Sequence, residues 1–279
     1  MPDSYSAQFY RFSGAGNVFV VLDGRQGGME PFREVATIQA LCREHHTDGL
    51  MILTEGDGVD FTMEFYNPDG SGGMMCGNGG RCIVAFADEL GIRPADGHTY
   101  RFLAPDGLHS AEVLSKADSG KEWTVKLKMI DVQGITPVKG GYFLNTGTRH
   151  FVKFVDSVEA LEMEADAKPL RWDEAFQPEG TNVNFVEVRP DGLHVRTYEK
   201  GVEGETLACG TGLTASALAA SSAEIPGQSG NDGYRLQCRR GDWLRVDFRP
   251  RTDGRFTDVY LTGPAELERI IFVSLPKRS

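Results

Sequence analysis

Apolar and polar residues alternate in short runs along most of this chain, and these runs read as strands. "AQFYRFS" and "NVFVVLDG" flank the turn "GAG"; "LMIL" and "FTMEFYN" follow, with Phe61, Met63 and Phe65 alternating with Thr62, Glu64 and Tyr66. The period changes in two places. Residues 31–44 carry an early Pro and apolar residues at helical spacing, and "GGRCIVAFADELG" reads as a helix capped by Gly91. "TYRFLAP", "SAEVLS" and "WTVKLKMI" are strand-like again.

The second half repeats this order. Strand-like "YFLNTG" and "HFVKFV" precede "DSVEALEMEA", a predicted helix with Asp156 and Glu159 placed as a capping box. "TNVNFVEV" and "LHVRTYEKG" are predicted strands, and "LACGTG" opens into "LTASALAASSAEIPG", a helix ended by Pro226 and Gly227. In the first half Cys76 lies nine residues beyond Asn67 (76 − 67), and in the second Cys209 lies ten beyond Glu199 (209 − 199). Each cysteine begins Cys-Gly-x-Gly before a helix of small and apolar residues. A strand, loop, Cys-Gly-x-Gly and helix recurring in order predict two similar α/β domains, related by a pseudo-twofold axis, with a boundary near residue 121. No Pro/Ser linker marks that boundary.

The 279 residues, 40% hydrophobic and 25% charged, suit a globular protein of one large or two medium domains. The net charge of −11 argues against a nucleic-acid partner. No run approaches the roughly 18 apolar residues of a membrane helix, and the N-terminal segment has neither a basic leader nor an apolar core. Five cysteines, at 42, 76, 82, 209 and 238, form no short-range framework and point to free thiols in a reducing, cytoplasmic compartment.

A helix N-terminus carries unpaired N–H groups and about half a positive charge. A thiol placed there ionises more readily, and the same N–H groups bind a carboxylate. Two such thiols facing one carboxylate-bearing carbon suit one reaction: one sulfur removes the α-proton, the other returns a proton to the opposite face, and the stereocentre inverts. Other readings of "MMCGNGGRC" fit less well. Cys76 and Cys82 lack the second Cys or His pair of a structural zinc site, and the segment matches neither GxGxxG nor GxxxxGK[ST]. A cysteine–histidine hydrolase stays open, because six histidines (45, 46, 98, 109, 150, 194) are unplaced by sequence. Cys42, Cys82 and Cys238 read as small core residues.

In this context "NPDGSGGMMCGNGGRC", "GTNVNFVEV" and "YEKGVEGETLACGTG" resemble the diaminopimelate epimerase family, and "FSGAGNVFVVLDG" and "LTGPAEL" extend the resemblance over nearly the whole chain. The resemblance implies a pyridoxal-independent isomerase that converts LL- to meso-diaminopimelate by a thiol/thiolate pair, in lysine and peptidoglycan precursor synthesis. It implies an α+β fold of two domains, each a strongly curved mixed sheet around a central helix, with the active site in the cleft between them. The last strand would return to the first domain, giving 1–121 plus 267–279 and 122–266. It also implies a homodimer that needs no cofactor and no metal, acting on a small amino acid, without nucleic-acid or membrane partners.

The matched positions assign Cys76 and Cys209 as the catalytic acid and base. Gly77, Asn78, Gly210 and Thr211 would present N–H groups to the reacting carboxylate, while Asn17, Asn67, Asn182, Glu199 and Lys200 would bind the rest of the substrate. Lys200 stands where the family carries arginine, and Thr148 in "GTRH" where an asparagine binder is common; a planar fork and a point charge grip a carboxylate differently. "HHTDGL" is shortened against the family's pattern, and Asn17 is followed by Val18. These departures keep open a related racemase for another amino acid, such as histidine.

Overall fold

The first hairpin is as tight as "GAG" suggests: β1 (Ser4–Gly14) and β2 (Asn17–Asp23) are joined by Ala15 and Gly16, both at positive φ, and Gly14 pairs with Asn17. The computed structural model describes residues 4–227 and 233–276. Residues 277–279 of the expected returning segment lie outside them.

The described chain separates into two units, residues 1–127 with 264–279, and residues 128–263. In the first, α1 (Val35–His45) leads to β3 (Gly49–Thr54) and β4 (Phe61–Tyr66); α2 (Gly77–Glu89) leads to β5 (Thr99–Ala104), β6 (Gly107–Lys116) and β7 (Glu122–Lys128). Each helix joins a parallel pair, β2–β3 and β4–β5, and the other neighbours are antiparallel.

In the second unit β8 (Thr136–Val138), β9 (Gly141–Asn145) and β10 (Arg149–Phe154) precede α3 (Met163–Arg171). Then come β11 (Asn182–Arg189), β12 (Gly192–Glu199), β13 (Gly204–Thr206), α4 (Gly210–Ser222), β14 (Gly233–Gln237) and β15 (Trp243–Pro250). The pairing repeats: α3 joins parallel β10–β11, α4 joins parallel β12–β14, and β9–β10, β11–β12 and β14–β15 are antiparallel. The last strand, β16 (Phe256–Pro276), pairs over its first part with β15 and over its later part with β1. With β7 on its other side, β16 closes β1–β7 into an eight-stranded barrel. The strands of the second unit run β16-β15-β14-β12-β11-β10-β9-β8.

Alternation explains the cores. The β4 residues Phe61, Met63 and Phe65 are buried and their neighbours half-buried, so one face of the strand packs inward. Helix α2 is buried at every residue from Gly77 to Ala87 and packs against β1, β2, β3 and β6, as the axis of the barrel. Each large side chain so enclosed, such as Ile83 or Phe86, contributes about 1.5–3 kcal/mol. Helix α4 is likewise buried on all sides, which its run of alanines anticipates. The outer helices α1 and α3 cover the opposite faces, over Phe9, Val20, Leu22, Leu50 and Ile52 in one unit and over Phe151, Val183, Phe185 and Tyr198 in the other.

The predicted helix over residues 156–165 is a correction. Helix α3 starts only at Met163, Glu162 caps it without a side-chain bond, and Asp156 to Glu162 are irregular, with one turn at Glu159 and Ala160. Side chains of the sheet hold that segment instead: Glu187 accepts from Val158 N, and Arg196 donates to Val158 O and Leu161 O. Those bonds satisfy the Val158 N–H and the Val158 and Leu161 carbonyls without a helix.

Candidate active site

The first unit positions Cys76 by a glycine-rich loop after β4. Asn67, just past the strand, donates from Nδ2 to Ser71 Oγ at 3.0 Å and to Gly72 O at 3.4 Å, and so shapes the loop. Asp69 accepts from the Ser71 N–H and O–H, which holds its carboxyl below the ordinary range. Cys76 is the N-cap of α2, and its Sγ accepts from Gly79 N at 3.2 Å. The sulfur thus does the work of a capping oxygen.

Asn78, on the first turn of α2, donates to Asn17 Oδ1 at 2.7 Å, so the β1–β2 hairpin is tied to the helix start. Gly14 makes that approach possible: a Cβ there would lie 2.8 Å from Asn78 O and 2.9 Å from Cys82 Sγ. Beneath this contact is Arg81, fully buried, whose guanidinium donates to Asn78 Oδ1 (2.8 Å), Gly77 O (3.1 Å) and Pro264 O of β16 (3.2 Å). Cys76, Gly77, Asn78 and Asn17 are thereby held as one group, with Asn67 in the loop that leads to it. Cys82 faces the core, and complete burial pushes its thiol up to about 12.

The second unit builds the corresponding helix start differently. Cys209 is the N-cap of α4 and only 8% exposed; its Sγ lies 3.4 Å from Thr211 Oγ1. Thr146 donates to Thr211 O at 2.9 Å, fastening the turn before β10 to the helix. Thr211 Oγ1 is 3.0 Å from His150 Nε2 and 3.1 Å from Thr148 Oγ1. Asn184, fully buried, meets His150 Nδ1 at 2.9 Å. Gly212 leaves room for that amide, since a Cβ there would lie 2.4 Å from Asn184 Oδ1. Burial pushes the His150 imidazole down to about 3, which keeps it neutral.

Asn182 braces two loops: its Nδ2 donates to Arg149 O at 2.8 Å, and its Oδ1 accepts from Lys200 N at 2.8 Å. Glu199, at the end of β12, is pushed up by burial. Cys209, Gly210, Thr211, Thr148, Asn182, Glu199 and Lys200 therefore all lie around the N-terminal end of α4 or on the strand ends beside it.

Two features escaped the sequence reading. Arg81 looks like a surface helix charge, and His150 like one unplaced histidine among six. The available signal for the second was the alternation in "TNVN", which turns Asn182 and Asn184 toward α4 while Val183 and Phe185 face α3. All five cysteines are thiols. Among the described residues no helix is long and apolar enough to cross a membrane.

The family profile described as diaminopimelate epimerase matches residues 9–129 and 142–241. The chain belongs to the diaminopimelate epimerase family. It is 39% identical over 276 residues to the diaminopimelate epimerase of Aquifex aeolicus, covering 92% of this chain and 94% of that one. It is 36% identical over 263 residues to that of Flavobacterium psychrophilum, covering 93% and 97%. Family membership makes the chain an isomerase acting on a small molecule. Solved structures share the fold at low identity. A phenazine biosynthesis protein of the PhzF family from Bacillus anthracis superposes with a TM-score of 0.72 at 12% identity, over 96% of this chain and 99% of that one. A hydroxyproline epimerase from Agrobacterium vitis gives 0.64 at 16%, over 99% and 93%.

Proposed function

We propose that the chain interconverts LL- and meso-diaminopimelate without pyridoxal phosphate, with Cys76 and Cys209 as the acid and base that exchange the α-proton. The observation that carries this reading is the recurrence of one arrangement: in each unit a Cys-Gly-x-Gly cysteine is the N-cap of the buried central helix. A thiolate removes the weakly acidic α-proton, negative charge grows on the substrate carboxylate, and the N–H groups of the helix start meet that charge. The other thiol then delivers a proton to the opposite face. In this reading Gly77, Asn78, Gly210 and Thr211 hold the reacting carboxylate, and Asn17, Asn67, Asn182, Glu199 and Lys200 hold the remainder. The two units would be the two catalytic domains of a cytoplasmic homodimer in lysine biosynthesis.

Turnover in D2O tests the mechanism. Diaminopimelate should gain deuterium at the inverted α-carbon, and both Cys76→Ala and Cys209→Ala should abolish inversion. Retained inversion in either variant would sink the two-thiol mechanism. Lys200 and Thr148 favour a second reading, a racemase for another amino acid. A panel of L-amino acids resolved by chiral chromatography decides between them, and turnover of diaminopimelate alone removes the second.

A further inference from the structure

We infer that Thr211 and Thr148 form a two-position hydroxyl relay behind Cys209, fixed in polarity by His150 and Asn184, which accommodates the sulfur equally as thiol and as thiolate. Its catalytic meaning rests on the two-thiol reading above. Its geometry lies wholly within the second unit.

Counting protons along the chain of contacts gives the polarity. The Phe151 carbonyl can only accept, so the Asn184 atom 3.1 Å from it is the amide nitrogen. Thr197 Oγ1 then donates to Asn184 Oδ1 at 3.0 Å. The second amide N–H of Asn184 points at His150 Nδ1, which must therefore be bare. Because burial keeps His150 neutral, its single proton sits on Nε2. Nε2–H, 2.9 Å from Thr148 Oγ1 and 3.0 Å from Thr211 Oγ1, is shared between the two hydroxyl oxygens as a donor that cannot reverse, and Asn182 Nδ2 also donates, at 3.4 Å, to Thr148 Oγ1.

Two arrangements remain for the hydroxyl protons. In one, Thr148 donates to Thr211 and Thr211 donates to Cys209 Sγ, which suits a thiolate. In the other, the Cys209 S–H donates to Thr211, Thr211 donates to Thr148, and Thr148, which is exposed, turns its own O–H outward. The two differ by rotation of two O–H bonds, with no displacement of heavier atoms. An epimerase needs this: the same sulfur accepts the α-proton in one direction and supplies it in the other. Thr148, expected from sequence to contact substrate, becomes a positioning residue that acts through Thr211.

The titratable groups that the surrounding strands turn toward α4 are few. His150 on β10 is neutral. Glu199 on β12 is pushed up by burial. Tyr142 on β9 and Tyr234 on β14 lie beyond, the latter donating to Ile225 O. The charged Arg196 on β12 faces away and pairs with Glu205, and Arg149 at the start of β10 pairs with Glu179.

The test reads Cys209 itself. Alkylation of Cys209 by iodoacetamide is followed against pH by peptide mass spectrometry in the full chain. Thr211→Val removes the donor to the thiolate and should raise the midpoint by about one unit. Thr148→Val removes the acceptor that competes for the Thr211 proton and should lower it by about half a unit. Thr211→Ser and Thr148→Ser should restore the original midpoint. Opposite signs from adjacent hydroxyls are not what loss of packing produces. No rise in Thr211→Val, or a rise in both valine variants, overturns the relay. Thr148 is exposed, so its variants fold even if Thr211→Val does not; with Thr148→Val alone, a fall with rescue by Ser supports the relay and a rise overturns it. In turnover, Thr148→Val should lower kcat about fivefold with KM within about twofold. A raised KM with an unmoved midpoint makes Thr148 a substrate contact and overturns the relay. Failure of the two-thiol reading shows separately, as inversion retained in Cys209→Ala.

Discussion

The starts of α2 and α4 offer the same sequence device, Cys-Gly-x-Gly, in two different settings. At α2 the sulfur receives a backbone N–H from Gly79, a donor that cannot turn round, and a buried guanidinium braces the surrounding turn. At α4 the sulfur meets a hydroxyl, which both gives and receives, backed by a neutral imidazole and Asn184. A fixed donor prefers one protonation state of the sulfur; a rotating hydroxyl serves both. Similar motifs in repeated units therefore need not be chemically interchangeable.

The largest effect expected is the loss of inversion in Cys76→Ala and Cys209→Ala, about a thousandfold or more in kcat. Chiral chromatography measures it, and equal loss in both would show that the different settings still serve one reaction. Next is Arg81→Met. It leaves Asn78 Oδ1 and the carbonyls of Gly77 and Pro264 without their donor, so urea denaturation should show a loss of about 3 kcal/mol. A loss under about 1 kcal/mol would mean that the brace is dispensable and the contrast with α4 overstated.

The third expected effect concerns acid. The folded value for His150 is about 3 against an ordinary 6.5, so below pH 6.5 the unfolded chain takes up a proton that the native one does not. This contribution is fully present above pH 6.5 and is lost as pH falls toward 3, with a slope of at most about 1.4 kcal/mol per unit. Urea midpoints at pH 7.5 and 5.5 should therefore separate less in His150→Gln than in the parent chain. The smallest effect is Lys200→Arg, which should change KM for diaminopimelate about two- to threefold and leave kcat alone. No change would place the Lys200 side chain away from the substrate.

Local patterning made much of the fold readable. Alternation in "FTMEFYN" and "NVFVVLDG" marked β4 and β2, and the small-residue run after Cys209 marked a helix buried on all sides. The α+β architecture implied by the resemblance, a curved sheet around a central helix, is present in both units. What could not be read depends on register between distant segments. Arg81 is buried because Gly14 lets β1 approach and because β16 supplies a carbonyl; neither fact is visible within "GGRC". Asn184 reaches His150 because β10 and β11 run parallel, with His150 opposite Asn182 and Val152 opposite Asn184. The false start of α3 has the same origin, since Glu187 and Arg196 arrive from strands later in the chain.

The strand β16 carries a consequence for how the protein is made. Its later part is the partner of β1, so the barrel begun by an early strand is closed only by a strand that follows the second unit in the chain. Until then β1 and β7 each expose an unpaired edge, an invitation to mispairing or aggregation, and closing the ring must overcome the entropy of a very long loop. The residues around Cys76 are thus the first of the two cysteine settings to be synthesised, while the barrel that encloses their helix waits for the rest. A chain cut after residue 263 would retain the strands and central helix of the second unit but leave that first barrel open.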